Sequence, residues 1–155
     1  MPAFYFVDSG SRLLVTCYWG PGAPMVMQEV RSRRSADPAV AEAVAHIVDA
    51  TAVEPDPGLP SDHARTLAYS YTSALDPIAL LPTIIVSDQG EIFGDARVFS
   101  TLAGLSDPRL RLMVVRTWEE AGLILGKDLS ALEAEVRRRR AEAVKQGEGR
   151  SDERI

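Results

Sequence analysis

The chain has 155 residues, 46% hydrophobic and 25% charged, the size and balance of one globular domain with its own core. Residues 1–126 carry 9 Lys+Arg against 15 Asp+Glu, a net of −6, and residues 127–155 carry 8 against 7, a net of +1, giving the formal −5. An acidic body repels phosphate backbones, so no nucleic-acid partner is expected, and the single Cys17 excludes an internal disulfide or a cysteine-built metal cluster.

Met1 to Val7 is apolar but lacks a basic leader, and Asp8 interrupts it, which makes a poor signal peptide. No apolar run reaches the length of a transmembrane segment. Both points predict a cytoplasmic protein. Phe4-Tyr5-Phe6-Val7 and Leu13 to Trp19 are rich in β-branched and aromatic residues, with turn-forming Asp8-Ser9-Gly10-Ser11 between them. A β-hairpin is predicted there. Gly20-Pro21-Gly22 ends its second strand.

Met25 to Arg34 reads as a helix, with Pro24 accommodated in its first turn. Asp37-Pro38 makes a turn; Ala41, Ala43 and Ala45 then favour helix while His46 to Thr51 favours a strand, which is assigned at about 45–51 after a short turn. Glu54 to Pro60 is a breaker-rich loop, followed by Ser61 as an N-cap. Behind it Ala64, Leu67, Ala68, Tyr71 and Leu75 form one apolar stripe at helical spacing. Thr83-Ile84-Ile85-Val86 is a short apolar strand of the kind buried on both faces of a sheet.

Asp88-Gln89-Gly90-Glu91 has the spacing of a capping box, and Ile92, Phe93, Ala96, Phe99 and Ala103 repeat behind it at helical intervals. Asp107-Pro108 turns the chain into a fifth strand, Leu110 to Val115. Thr117-Trp118-Glu119-Glu120 is a second capping box, opening a helix through Leu125 that Gly126 can end. Asp128 begins a last helix to about Val144, and 147–155 reads as a disordered polar tail. The order β-β-α-β-α-β-α-β-α predicts an α/β layered sheet.

Motifs that carry chemistry are sparse. Gly20-Pro21-Gly22 lacks the strand-to-helix context and the lysine of a phosphate loop, so no cofactor is expected. His46 and His63 fall on different elements without ligand-spaced partners, so no metal site is expected either. Cys17 sits mid-strand, where a thiol is a small buried hydrophobe. Glu119 and Glu120 complement a helix dipole, and in the Arg137 to Arg140 run Arg137 pairs with Glu133 and Arg139 with Glu135 at i,i+4, which reads as a solvated face, with a contact to an acidic partner as the alternative. The candidate binding site is Ser61 with Asp62, a helix N-terminus after the central strand that presents free N–H groups.

Phe93-Gly94-Asp95-Ala96-Arg97-Val98-Phe99-Ser100-Thr101-Leu102-Ala103, and Leu112 to Ala121 running on to Gly126, resemble small bacterial SpoIIAA-like (STAS-type) domains. The hairpin ending in Trp19-Gly20, then Ala36-Asp37-Pro38 and Ile47-Val48-Asp49, are similar too. The resemblance covers residues 3–126 and leaves 127–146 as a helical extension before the 147–155 tail. It implies a mixed sheet of about five strands with helices mainly on one face. It also implies a switch serine near Ser61, although Leu59-Pro60-Ser61-Asp62-His63 departs from the Asp-Ser-Ser-Gly surround of the sporulation members, and Asp62 opposes an added phosphate.

The leading expectation is therefore a non-enzymatic protein-interaction or regulatory module, with a protein partner or a homodimer. The alternative is a domain that binds a small molecule or lipid in an apolar cavity. An enzyme would need a cleft of convergent titratable groups, which the sequence does not display.

Overall fold

Ala3–Asp8 and Leu13–Pro21 pair as the antiparallel strands β1 and β2, with Tyr5 opposite Thr16 and Val7 opposite Leu14. Their turn is held by the Asp8 carboxylate, whose Oδ2 accepts from the Ser11 amide at 2.8 Å and the Ser11 hydroxyl at 2.5 Å. These two bonds, the hydroxyl's first, hold the Asp8 carboxyl below its usual range. The computed structural model describes residues 2–21, 24–56 and 77–152, so the predicted helix behind Ser61 lies outside the described residues.

β3 (Ala45–Glu54), β4 (Thr83–Val86) and β5 (Leu112–Val115) follow β2 in parallel, and the sheet order is β1-β2-β3-β4-β5. The protein is thus α/β, with a five-stranded mixed sheet in which, among the described residues, β1 alone runs antiparallel to its neighbour. Right-handed crossovers between successive parallel neighbours return their connections over one face. Two described helices, α1 (Pro24–Ala36) and α2 (Gly90–Ser106), share such a face. Val26, Met27 and Val30 of α1, with Ile92, Ala96 and Phe99 of α2, pack around Tyr18, Val48, Ile85 and Val114.

The opposite face is equally dry. Leu13, Val15, Cys17, Ile47, Ile84 and Val86 are all fully buried, which explains why these strands read as continuous apolar runs. Cys17 behaves as the small buried hydrophobe expected of it. Short 3-10 turns, Pro38–Glu42 and Pro77–Leu80, close one edge of the core by packing Val40, Ala43 and Ile78 on Leu14. Asp37 caps the first of them, its Oδ1 accepting from the Ala39 amide at 2.9 Å.

The capping box at Asp88–Glu91 is a correction. The Ser87 amide still bonds across the sheet to the Val115 carbonyl at 3.0 Å, so the chain leaves the strand late. The first helical bond is Phe93 N–H to Gln89 O at 2.7 Å, which makes Gln89 the N-cap, with no side-chain cap bond. Asp88 then stands one position outside the cap, where it cannot form the reciprocal pair with Glu91.

The chain divides into two units, Met1–Thr117 and Trp118–Ile155. The second unit groups α3 (Trp118–Leu125) with α4 (Ser130–Asp152). Gly126 ends α3 at φ 67°, a left-handed conformation that favours glycine. The Lys127 amide then bonds back to the Gly122 carbonyl at 2.9 Å. Asp128 receives the Ser130 amide at 2.9 Å, so α4 starts beside the predicted Asp128, and its backbone runs on into 147–152.

Candidate functional site

Ser61 and Asp62, with His63, lie outside the described residues. The carboxyl ends of parallel strands are where open α/β sheets place ligands. Here Asp49 on β3 accepts from the Thr51 amide at 2.9 Å and the Thr51 hydroxyl at 2.6 Å. Ser87, just past β4, is fully buried, and its Oγ has no hydrogen-bond partner among the described residues. After β5 the Arg116 guanidinium stands 4.0 Å over the Phe93 ring, joining the two segments that carried the family resemblance.

The densest polar convergence lies inside the core, between α1 and the sheet. Thr16 on β2 points to the helix-covered face beside Leu14 and Tyr18, and His46 on β3 shares that face opposite Leu14. Arg34, one helical turn beyond the buried Val30, continues the inward stripe of α1. Its Nη1 donates to Thr16 Oγ1 at 2.8 Å and to His46 Nε2 at 3.0 Å. Thr16 Oγ1 is also 2.9 Å from His46 Nε2.

Because Arg34 can only donate, its bond to Nε2 requires that nitrogen to be an acceptor. The Thr16 hydroxyl, already accepting from Arg34, can direct its own proton to the same nitrogen. The imidazole is therefore neutral, with its proton on Nδ1. Burial, and then the Arg34 charge, push the His46 pKa well below its ordinary value. Arg34 is 5% exposed and His46 2% exposed, so the trio does not meet solvent or a substrate as an acid–base group must. It anchors α1 to β2 and β3.

Three buried polar atoms lack a hydrogen-bond partner among the described residues: Arg34 Nε, His46 Nδ1 and Ser87 Oγ. Beside the trio, Tyr5 Oη donates to Asp37 Oδ2 at 3.0 Å, tying β1 to the end of α1. No group of three or more His, Cys, Asp or Glu that could hold a metal occurs among the described residues.

The arginine run behaves as a solvated face. Arg137 pairs with Glu133, while Arg138 reaches Glu135 at 2.8 Å and Glu142 at 2.6 Å. Arg139 also meets Glu135 at 2.6 Å. Bonds from Arg138 and Arg139 lower the Glu135 pKa to about 2. These cations are spent on their own helix and leave no bare basic stripe for an acidic ligand.

The Met1–Thr117 unit does carry an apolar helix face. On α2, Ile92, Ala96, Phe99 and Ala103 turn inward, so Gly94, Val98, Thr101 and Leu105 line the outer side at i, i+4, i+7 and i+11. Val98 is 49% exposed and Leu105 77% exposed. No helix among the described residues is long and apolar enough to cross a membrane. No family model matches the chain, and no curated protein matches it.

Neither the trio nor the outer face of α2 was singled out from sequence. The signal for the trio was nevertheless there: Thr16 and His46 occupy inward positions of alternating strands, and Arg34 extends the Val26–Val30 stripe. For α2 the signal was two apolar stripes on one helix, where a surface helix needs one.

Proposed function

We propose that the protein is a cytoplasmic, non-enzymatic interaction or regulatory module of the SpoIIAA-like (STAS-type) kind, which binds a protein through a helix face and uses no cofactor. One contrast carries this reading. The titratable groups that converge are sealed in the core, whereas Val98 and Leu105, large apolar side chains on a rigid helix, face solvent. Such a face is what a protein partner covers. The strand order, with an antiparallel first strand and crossover helices sharing a face, supports the SpoIIAA-like part of the reading. Ser61 and Asp62 stay the proposed place for a switch or an anion contact, on the strength of the resemblance.

The test is affinity capture from the native cell extract with wild type, Leu105→Glu, Ser61→Ala and Ser61→Glu as baits. Wild type is expected to retain one protein stoichiometrically, and Leu105→Glu to retain it at least about tenfold less, a loss of about 1.4 kcal/mol or more. A switch at Ser61 predicts release by Ser61→Glu and retention by Ser61→Ala. If wild type retains no protein, or Leu105→Glu retains as much, the interaction reading falls. A stoichiometric lipid in place of a protein would point to the ligand-binding alternative.

A further inference from the structure

We propose that Thr16, Arg34 and His46 form an acid-released latch: a proton arriving on His46 expels Arg34 and frees α1 from the sheet, while the five strands and α2 stay folded. The latch lies apart from the outer face of α2 and is independent of the interaction reading. Arg34 Nη1 donates to His46 Nε2 at 3.0 Å and to Thr16 Oγ1 at 2.8 Å, so one imidazole lone pair and one hydroxyl hold the end of α1 over β2 and β3. The guanidinium is always charged and can only donate. Protonation turns Nε2 from an acceptor into a donor. Two cations, each with an N–H directed at the other, then stand 3.0 Å apart in the core.

The surroundings offer the added charge no relief. From the elements packed around the ring, α1 presents Arg34 and β2 presents Thr16. β4 presents Thr83, which stands opposite His46 and donates its hydroxyl to the Leu81 carbonyl at 3.1 Å. Asp37, just past α1, accepts from Tyr5 Oη and from the Ala39 amide. Among the described residues no carboxylate bonds the ring. Arg34 Nε and His46 Nδ1 are already buried without a hydrogen-bond partner among those residues, and lifting α1 gives both of them water.

α1 is the element that yields because so little else holds it. Val30 and Arg34 are its buried residues among those whose side chains are described, with Val26 and Met27 half-buried beside them. The inward stripe of α2, by contrast, is Ile92, Ala96, Phe99 and Ala103, with no ionisable member. Local openings are drawn from the segments with the fewest buried apolar contacts. With α1 lifted, His46 meets water and takes a proton near its ordinary value of about 6.5. With α1 seated, burial and then the Arg34 charge hold the ring neutral to well below that value. Between the two values the opening constant of α1 rises about tenfold for each unit the pH falls.

Native-state amide exchange on the full chain tests this from about pH 7.5 to about pH 5, with each opening constant taken relative to the intrinsic rate at the same pH. The proteins compared are wild type, His46→Gln and His63→Gln. In wild type and His63→Gln the amides from Val30 to Ala36 are expected to open up to about tenfold more per pH unit below about 6.5. The amides of β2 and β3 should stay at least about tenfold less open at each pH. His46→Gln, whose side-chain oxygen can still accept from Arg34, should keep the α1 opening constant flat. If the α1 amides open only together with those of β2 and β3, the event is global unfolding and the latch is refuted. An α1 opening constant that ignores pH in wild type, persists in its pH dependence in His46→Gln, or loses it in His63→Gln refutes it equally. Should His46→Gln fail to fold, the wild-type comparison of α1 with β2 and β3, together with His63→Gln, still decides.

Discussion

Acidifying the protein from about pH 8 through the ordinary histidine range is expected to remove folding stability through His46, at a limiting slope of about 1.4 kcal/mol per pH unit. The sign follows from which state takes the proton. In the unfolded chain His46 titrates near its ordinary value of about 6.5. In the folded protein burial, and then the Arg34 guanidinium 3.0 Å from Nε2, hold the ring neutral to well below that value. Between the two values the unfolded state binds the extra proton. Stability is therefore complete above the unfolded-state value, declines as the pH falls below it, and levels off once the folded ring is protonated too.

Urea denaturation at a series of pH values measures this directly. Above about pH 5 carboxylates contribute little, since their ordinary values are about 4. His46→Gln should abolish the slope, and a slope that persists in His46→Gln would assign it elsewhere, His63 being the other histidine. Arg34→Ala should cost about 3 kcal/mol at neutral pH, because it opens a cavity in the core and removes the donor shared by Thr16 Oγ1 and His46 Nε2, which keep only their bond to each other. The same variant should narrow the pH window over which stability is lost, having removed the second of the two causes of the His46 shift. Arg34→Met fills the space without a charge and should cost less than Arg34→Ala, since a buried charge is itself expensive to desolvate.

The parts of the fold legible in the sequence are those where one residue's environment is decided by its neighbours along the chain. Thr83 to Val86 could be read as a buried strand because all four side chains must leave water whichever way they point. Ile92, Ala96, Phe99 and Ala103 announced the inner face of α2 by spacing alone. Gly126 announced a helix end because a left-handed residue there favours glycine. The capping box at Asp88 misled because the decisive bond, Ser87 N–H to the Val115 carbonyl, comes from a strand far along the chain.

The candidate site was harder to read for a related reason. Arg34 in isolation is an arginine near the end of a helix, where cations are common on the solvent side. Only the register of β2 and β3 places Thr16 and His46 under it. A charged residue on an inward stripe implies polar partners in the sheet below, but it does not say which. The outer face of α2 is different in kind. Its residues are all local, yet that Val98 and Leu105 stay uncovered is displayed only in three dimensions.

Gly122→Ala is expected to cost about 3 kcal/mol and to break the turn joining α3 and α4, a steep penalty for one methyl group. A Cβ at Gly122 would lie 2.5 Å from the Lys127 carbonyl oxygen, a distance real Cβ atoms do not reach. The obstacle is backbone, and it is held in place. Gly126 turns the chain at φ 67°, and the Lys127 amide bonds to the Gly122 carbonyl at 2.9 Å, so relief requires moving both. The Leu129 side chain, 3.6 Å from the same point and itself buried, narrows the escape on the other side. Gly126→Ala makes the informative contrast. It meets open space and pays only the left-handed backbone cost of about 1–2 kcal/mol. Amide hydrogen exchange should therefore show Gly122→Ala exposing the amides of Gly126 and Lys127 and shortening the protected part of α3, with Gly126→Ala milder at the same positions. A Gly122→Ala variant as stable as wild type, or less perturbed than Gly126→Ala, would show that the turn yields more readily than its hydrogen bonds imply.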